Sequence, residues 1–171
     1  MRLFHVSDQP DIDWFEPRPV PSLDAGIEGL AIWAVADSHL PNYLLPRDCP
    51  RICFRASATT SNSDQARFLL GSESVVAFEH SWLERVRATS LTLYEMPLAP
   101  FQEVLPEAGY WITRQPVAAM TRHRVDDVLQ ALGDRRVEIR ILNDFWPLCD
   151  AVVSSTLQFS VIRTRNAQPR S

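Results

Sequence analysis

Trp33-Ala34-Val35-Ala36-Asp37-Ser38-His39-Leu40-Pro41-Asn42-Tyr43-Leu44-Leu45-Pro46-Arg47-Asp48-Cys49-Pro50-Arg51 joins two strand-like runs, Ala31–Ala36 and Arg51–Arg55. The prolines at 41, 46 and 50 fix the backbone there and restrict the residue before each of them. A Trp, a His, a Tyr, two Arg, two Asp and a Cys sit on this stiff segment, so it reads as a turn between buried strands. Polar groups held this way can face a cleft at little ordering cost.

Outward from that turn, short strand-like runs recur at Leu3–Val6, Ser74–Phe78, Leu91–Met96, Tyr110–Thr113 and Val137–Leu142. Helical patterns cover Asp64–Leu70, Ser81–Arg87, Arg122–Leu132 and Phe145–Thr156. The third places Val125, Val128, Leu129 and Leu132 on one face, with Gly133 as its stop. The fourth has Asp144 as a candidate cap and Pro147 in its first turn. Strands concentrated in the first two-thirds, with helices at irregular intervals, predict an α+β fold. The expectation is one domain over residues 1–168, with a mixed or antiparallel sheet, flanking short helices and a frayed tail over 169–171. Residues 8–29 read as an extended, ordered arm anchored by Ile12, Trp14 and Phe15, and 56–64 as a mobile surface loop.

The chain has 171 residues, 46% of them hydrophobic and 22% charged, ordinary for a globular domain with a real core. A net charge of −4 gives no electrostatic reason to expect nucleic acid or an anionic membrane as partner. No apolar run approaches the ~20 residues of a membrane span, and the start does not read as a signal peptide, so a cytoplasmic location is expected. The cysteines, Cys49, Cys53 and Cys149, lack framework spacing, and Cys49 and Cys53 have no second pair to complete a zinc site; no metal is expected. There is no lysine, which excludes Schiff-base chemistry, lysine nucleophiles and the phosphate-loop lysine.

Alternation places His5 and Ser7 on one face of the first strand, as a hydrogen-bonding pair for a ligand hydroxyl. The bland alternative is an imidazole satisfied by a neighbouring backbone carbonyl. Arg47 and Arg51 can clamp a carboxylate or phosphate through bidentate bonds, or Asp48 pairs with one of them and caps the turn, leaving Cys49 as a small buried residue. As a nucleophile Cys49 lacks a visible His/Asn arrangement. Glu79-His80 reads as an acid–base pair or as a helix start with Ser81 as cap, and Glu138, beside Arg136 and Arg140 on the Val137–Leu142 strand, as half of a cross-strand ion pair. Arg163 and Arg165 can reach an anion, while Ser160 and Asn166 can satisfy buried backbone groups. Arg122, His123 and Arg124 read as the solvated start of a helix.

Phe4-His5-x-Ser7, Pro10-x-Ile12-x-x-Phe15-x-Pro17-Arg18, Trp33-Ala34 and Pro46-Arg47-Asp48-Cys49-Pro50-Arg51 resemble the motifs of an uncharacterised bacterial family, a domain of unknown function. So do Trp146-Pro147-Leu148 and Ser155-Thr156-Leu157-x-Phe159-Ser160-x-Ile162-Arg163-x-Arg165-Asn166-Ala167. A more distant resemblance is to ADP-ribosyltransferase-like domains. It rests on His5 in the first strand, Tyr43 after the second, and Leu93-Tyr94, Phe101, Tyr110-Trp111-Ile112 and Pro116-Val117 further on. That resemblance implies a nucleotide-sized cleft with His5 and Ser7 as floor, Tyr43 as aromatic wall, and NAD or another nucleotide as ligand. The pattern departs at Gly109, where such a domain carries its catalytic Glu; here Glu107 lies two residues early. The expected function is binding of a small anionic or nucleotide-like ligand through His5, Ser7, Tyr43, Arg47, Arg51, Arg163 and Arg165, with no catalytic residue assigned. The alternative is a non-enzymatic interaction or homodimerising module that uses Trp14, Phe15 and Trp111 as an exposed aromatic surface.

Overall fold

The computed structural model describes residues 1–19 and 27–170; the remainder of the expected arm, 20–26, and Ser171 of the tail lie outside the described residues. In chain order the elements are β1 (Leu3–Ser7), β2 (Arg18–Pro19), β3 (Leu30–Ala36), β4 (Arg51–Arg55), α1 (Asn62–Asp64), β5 (Ser74–Glu79), α2 (Leu83–Arg87) and β6 (Leu91–Met96). Then follow β7 (Gln102–Leu105), β8 (Tyr110–Thr113), β9 (Thr121–Val125), α3 (Val128–Asp134), β10 (Val137–Leu142), α4 (Trp146–Val153) and β11 (Gln158–Ile162). The fold is α+β with two sheets, one antiparallel and one mixed. The chain divides into two compact units, one from Met1–Leu40 with Ser90–Asp126, the other from Pro41–Thr89 with the chain from Asp127 on.

The first unit holds the antiparallel sheet, in the order β7-β8-β3-β1-β6-β9 with β2 added to β3. Period-two alternation sends Ile32, Ala34 and Ala36 of β3 into one core with Leu3, Phe15, Tyr94, Met96, Phe101 and Val117. Ala31 packs with Ile27 and Ile112, and Trp33 against them, on the other side. A strand buried on both faces needs apolar residues at consecutive positions, which is why Ala31–Ala36 has no polar interruption. The N-terminal arm is anchored as expected at Phe15, which exchanges two backbone bonds with Val117, and at Ile12, whose amide donates to the Tyr94 hydroxyl at 3.0 Å. Trp14, by contrast, is 55% exposed.

The second unit holds the mixed sheet, in the order β10-β5-β4-β11, with β10 parallel to β5 and the other pairs antiparallel. Ile52, Phe54, Val75 and Ala77 face one way and pack with Phe68, Leu69, Phe145, Cys149, Val152 and Leu157. α4 lies on β4 and β11, and α3 on β10. α4 starts as predicted, with Asp144 Oδ1 accepting from the Trp146 amide at 3.0 Å and Pro147 in the first turn.

Three local expectations are corrected. Arg122–Leu132 is not one helix: Thr121–Val125 is β9, paired with β6 from Glu95↔Thr121 to Leu91↔Val125, and α3 begins only at Val128. Asp127 makes the break, its carboxylate accepting from the Gln130 amide at 2.9 Å as a helix cap. Gly133 is not the stop but lies inside α3; the left-handed residue after the helix is Arg136, at φ 58°. The 56–64 segment is tied down rather than mobile. Thr60 Oγ1 donates to Thr156 O, and Asp64 accepts from both the amide and hydroxyl of Thr156. Its hydroxyl-rich composition reads as loop, yet those hydroxyls are partners for a distant backbone. The expected helix over Asp64–Leu70 is α1 followed by a wider turn over Gln65–Leu69, closed by left-handed Leu70 and Gly71. At the other end of the chain, Arg170 is held by both oxygens of Asp150 and lies 4.1 Å from the centre of the Trp146 ring.

Candidate functional site

The turn before β4 is built from its carbonyls inward. Cys49 N donates to Pro46 O at 2.9 Å, closing residues 46–49. Arg51 Nη1 then donates to Pro46 O at 2.9 Å and to Cys49 O at 3.1 Å. Arg163 Nε donates to Arg47 O at 3.3 Å, and Asn166 Nδ2 to Asp48 O at 2.7 Å. Four successive carbonyls, 46 to 49, therefore accept from side chains of β4 and of the segment after β11. With the carbonyls occupied from inside, the Arg47 and Asp48 side chains project outward and are exposed. Asp48 makes no ion pair with either arginine among the described residues, so the capping role weighed for it is filled instead by backbone.

Arg51 is the unusual member. It is only 3% exposed and has no carboxylate partner among the described residues, and its Nε is buried without an acceptor. Charged groups are seldom buried unpaired, because loss of hydration is costly. Burial pulls its guanidinium below the ordinary range, and the nearby Arg163 cation pushes the same way. Since guanidinium pKa values start so high, Arg51 stays charged at neutral pH. The Tyr43 ring lies 5.9 Å from its guanidinium carbon. Arg163 itself adopts a left-handed backbone, φ 58°, uncommon for a residue with a Cβ. Arg47 and Arg165 are exposed and lack a side-chain partner among the described residues. Tyr43, Arg47, Arg51 and Arg163 are thus gathered around one turn, with Arg165 two residues beyond Arg163.

Cys49 and Cys53 are fully or almost fully buried, and burial pushes both thiols up to about 12. They remain neutral thiols at physiological pH, which removes the nucleophile reading of Cys49. Arg85, which influences Cys49 and stacks 4.5 Å over the Trp82 ring, belongs to the same cationic surroundings. The signal for it was the Trp82/Arg85 spacing of one helical turn.

His5 and Ser7 belong to the other unit. The β1–β3 ladder registers only Leu3↔Ala36 and Phe4↔Val35, and beyond it His5 Nδ1–H donates to Trp33 O at 2.8 Å. The imidazole continues where the backbone ladder ends, the carbonyl-satisfied reading weighed from the sequence. Phe15 packs edge-on at 4.9 Å. Ser7 Oγ accepts from the Gln9 amide at 3.1 Å, a local turn. Glu79 is 2% exposed, and both its oxygens take the Gln168 amide, while His80 is exposed, so the two do not form an acid–base pair. Ser81 is not the cap either: it lies inside the turn His80–Trp82, and neither that turn nor α2 has a side-chain cap bond. Glu138 is bound by Arg140 of its own strand at 2.7 Å and by Ser72, so the expected cross-strand partner is a same-strand one. Of the three aromatics expected as an exposed surface, Phe15 is buried and Trp111 packs against the same core with its indole N–H enclosed. Only Trp14 is exposed. A cavity of about 200 Å³ opens in the first unit beside Ile12, Tyr94, Met120 and Arg122; Tyr94 is the register partner of His5 on β1.

The two motif-rich runs, 46–51 and 155–167, are therefore one physical unit, and a family of unknown function, DUF6886, matches residues 4–167. The chain belongs to this family. The match spans both runs, together with His5 and the Phe15 anchor. No curated protein and no solved structure matches the chain. Nothing found supports the resemblance to ADP-ribosyltransferase-like domains, and Gly109 opposes its chemistry. In this DUF6886 chain Gly109 has φ 66°, and a Cβ built there would stand 2.4 Å from His39 Nδ1. The His39 ring is held in place, with Nε2 donating to Glu107 O at 3.1 Å and Nδ1 facing the Ser38 hydroxyl at 3.0 Å. A glutamate at 109 has neither the backbone nor the space. Among the described residues no helix is long and apolar enough to cross a membrane.

Proposed function

We propose that this protein binds a small anion of the phosphate or carboxylate class at the arginine-framed turn of residues 46–51, using Arg51, Arg163, Arg47 and Arg165 with Tyr43 beside them. The observation that carries this reading is Arg51: a guanidinium almost wholly removed from water, with an unsatisfied Nε–H and another cation nearby. An anion supplies the missing acceptor and neutralises both cations. Arg47 and Arg165, exposed and without a side-chain partner among the described residues, add reach. Nucleotides such as NAD and ADP-ribose are the larger members of the same class, for which Tyr43 offers a stacking face. His5 and Ser7, engaged with backbone groups, are not needed for it.

Isothermal titration of the full chain with inorganic phosphate, pyrophosphate, ADP-ribose and NAD tests the proposal. Saturable heat with at least one of them is expected, accompanied by a rise in melting temperature, since ligand at a hundred times its Kd adds about 2.7 kcal/mol. The exposed double substitution Arg47→Ala/Arg165→Ala should weaken that binding with the fold intact. No heat with any of the four at millimolar concentration, or undiminished binding by the double variant, overturns it.

A further inference from the structure

Among the described residues the two sheets end on four strands, β7 and β9 in the first unit, β10 and β11 in the second. An edge strand presents unpaired N–H and C=O groups, and natural proteins blunt such edges with charge, bulges or proline. Three of the four are blunted. β9 carries Arg122, His123 and Arg124, the arginines paired with Asp11, Asp13 and Asp126. β7 carries Glu103 and a register shift between Glu103 and Leu105. β10 carries Glu138 and Arg140. The short β2, added to the side of β3, ends on Pro19.

Among the described residues β11, Gln158-Phe159-Ser160-Val161-Ile162, carries no charge, bulge or proline, and pairs with β4 without interruption from Gln158↔Arg55 to Ile162↔Arg51. Its Gln158 side chain is held by Arg55 Nε at 2.9 Å. All five residues are at least partly exposed, Phe159 by 40%. α4, which lies on β11, ends on Val153, itself half exposed.

We propose that β11 is an association edge for a second copy of this chain, the two strands pairing antiparallel about a two-fold axis at Ser160. The sequence is self-complementary in that register. Ser160 meets Ser160, Phe159 of one copy meets Val161 of the other, and Gln158 meets Ile162, so an apolar pair is covered on each side of the axis. The cations that follow fall apart rather than together: Arg163 lies opposite Leu157 and Arg165 opposite Ser155. A parallel pairing would instead set Arg163 against Arg163. Neutrality within the strand, with cations kept at its far end, fits an identical strand running the other way.

Light scattering after size exclusion, from low micromolar to the highest soluble concentration, reads the outcome directly. Twice the chain mass is expected for the natural sequence, falling to one chain mass in Phe159→Lys and Ser160→Lys, with His123→Ser unchanged. Circular dichroism confirms that each variant is folded. For the natural protein, amide exchange at 158–162 should slow as concentration rises, while exchange at 121–125 does not change. A single-chain mass at every concentration overturns the proposal, as does a double mass that survives both lysines in folded variants. Exchange at 158–162 that ignores concentration overturns it independently of any variant.

Discussion

Among the described residues the first unit buries no carboxylate or guanidinium, whereas the second buries both, in Glu79 and Arg51. His39 and Tyr94 find backbone partners in the first unit: His39 with Glu107 O, and Tyr94 Oη donating to Gln9 O at 2.6 Å while accepting from Ile12 N. Among the described residues, two buried indole N–H groups there lack an acceptor, those of Trp33 and Trp111. In the second unit the shortfall is an Nε–H of the charged Arg51. A neutral orphan costs about 1–3 kcal/mol and calls for nothing further, but a charged one costs more. Glu79 does not serve as its counterion: it lies one residue beyond Phe78, the register partner of Arg51, and is bound to the Gln168 amide. The contrast is what supports the proposed anion site on the unit with the cationic turn.

The contrast is tested most severely at Arg51. Arg51→Ala strips the Cys49 carbonyl of its donor and opens a cavity, so urea unfolding should show a loss of about 3 kcal/mol. Arg51→Met fills the space without the bonds and should fall between the two. If the Met variant matches or exceeds the natural protein, the buried charge is only a burden and the difference between the units loses its functional meaning.

A smaller effect is expected in the first unit, where shape rather than charge is decisive. Gly109→Ala forces a Cβ into left-handed backbone and against His39, and should cost about 2 kcal/mol by thermal melting. Gly133→Ala, inside α3 with open space around it, should instead gain about 0.5 kcal/mol or slightly more. Equal effects at the two glycines would remove the steric argument against a side chain at 109.

The smallest effect is on acid stability. Hydrogen bonds from Arg140 and Ser72 hold Glu138 below its ordinary value of 4.5. A depressed carboxylate contributes fully above the unfolded value and loses that contribution as pH falls through the folded one. Urea midpoints should therefore decline below about pH 4.5, and Glu138→Gln should decline less over the same range. A variant that follows the natural curve places the acid response elsewhere.

Much of the strand framework was legible because apolar runs have to be continuous or alternating to lie in a sheet. Arg51–Arg55, Leu91–Met96, Tyr110–Thr113 and Val137–Leu142 stand where the pattern puts them. β9 was not legible: Val125, Val128, Leu129 and Leu132 keep helical spacing across a strand and a helix, and only the Asp127 cap divides them. β7 is a half-exposed edge strand with little apolar content, and in β11 the apolar residues Phe159, Val161 and Ile162 are interleaved with Gln158 and Ser160 within a hydroxyl-rich run. For the site, the density of arginine around residues 46–51 was visible, yet the recipients of those arginines are backbone carbonyls, which leave no trace in residue identity.

The sequence by itself determined the fold class, the central strands, the start of α4 and the membership of a family that matches residues 4–167, all of which depend on local spacing and side-chain type. Tertiary structure alone decided that two sheets rather than one are built, that His5 bonds to Trp33 O, and that Gly109 is closed to any side chain. It alone also brought residues 46–49 under Arg51, Arg163 and Asn166. Such outcomes depend on which distant backbone groups meet, and a hydrogen bond across more than a hundred residues has no local signature. The Pro46–Arg51 turn is conspicuous in the chain, but its buried, unpaired charge exists only once the chain is folded.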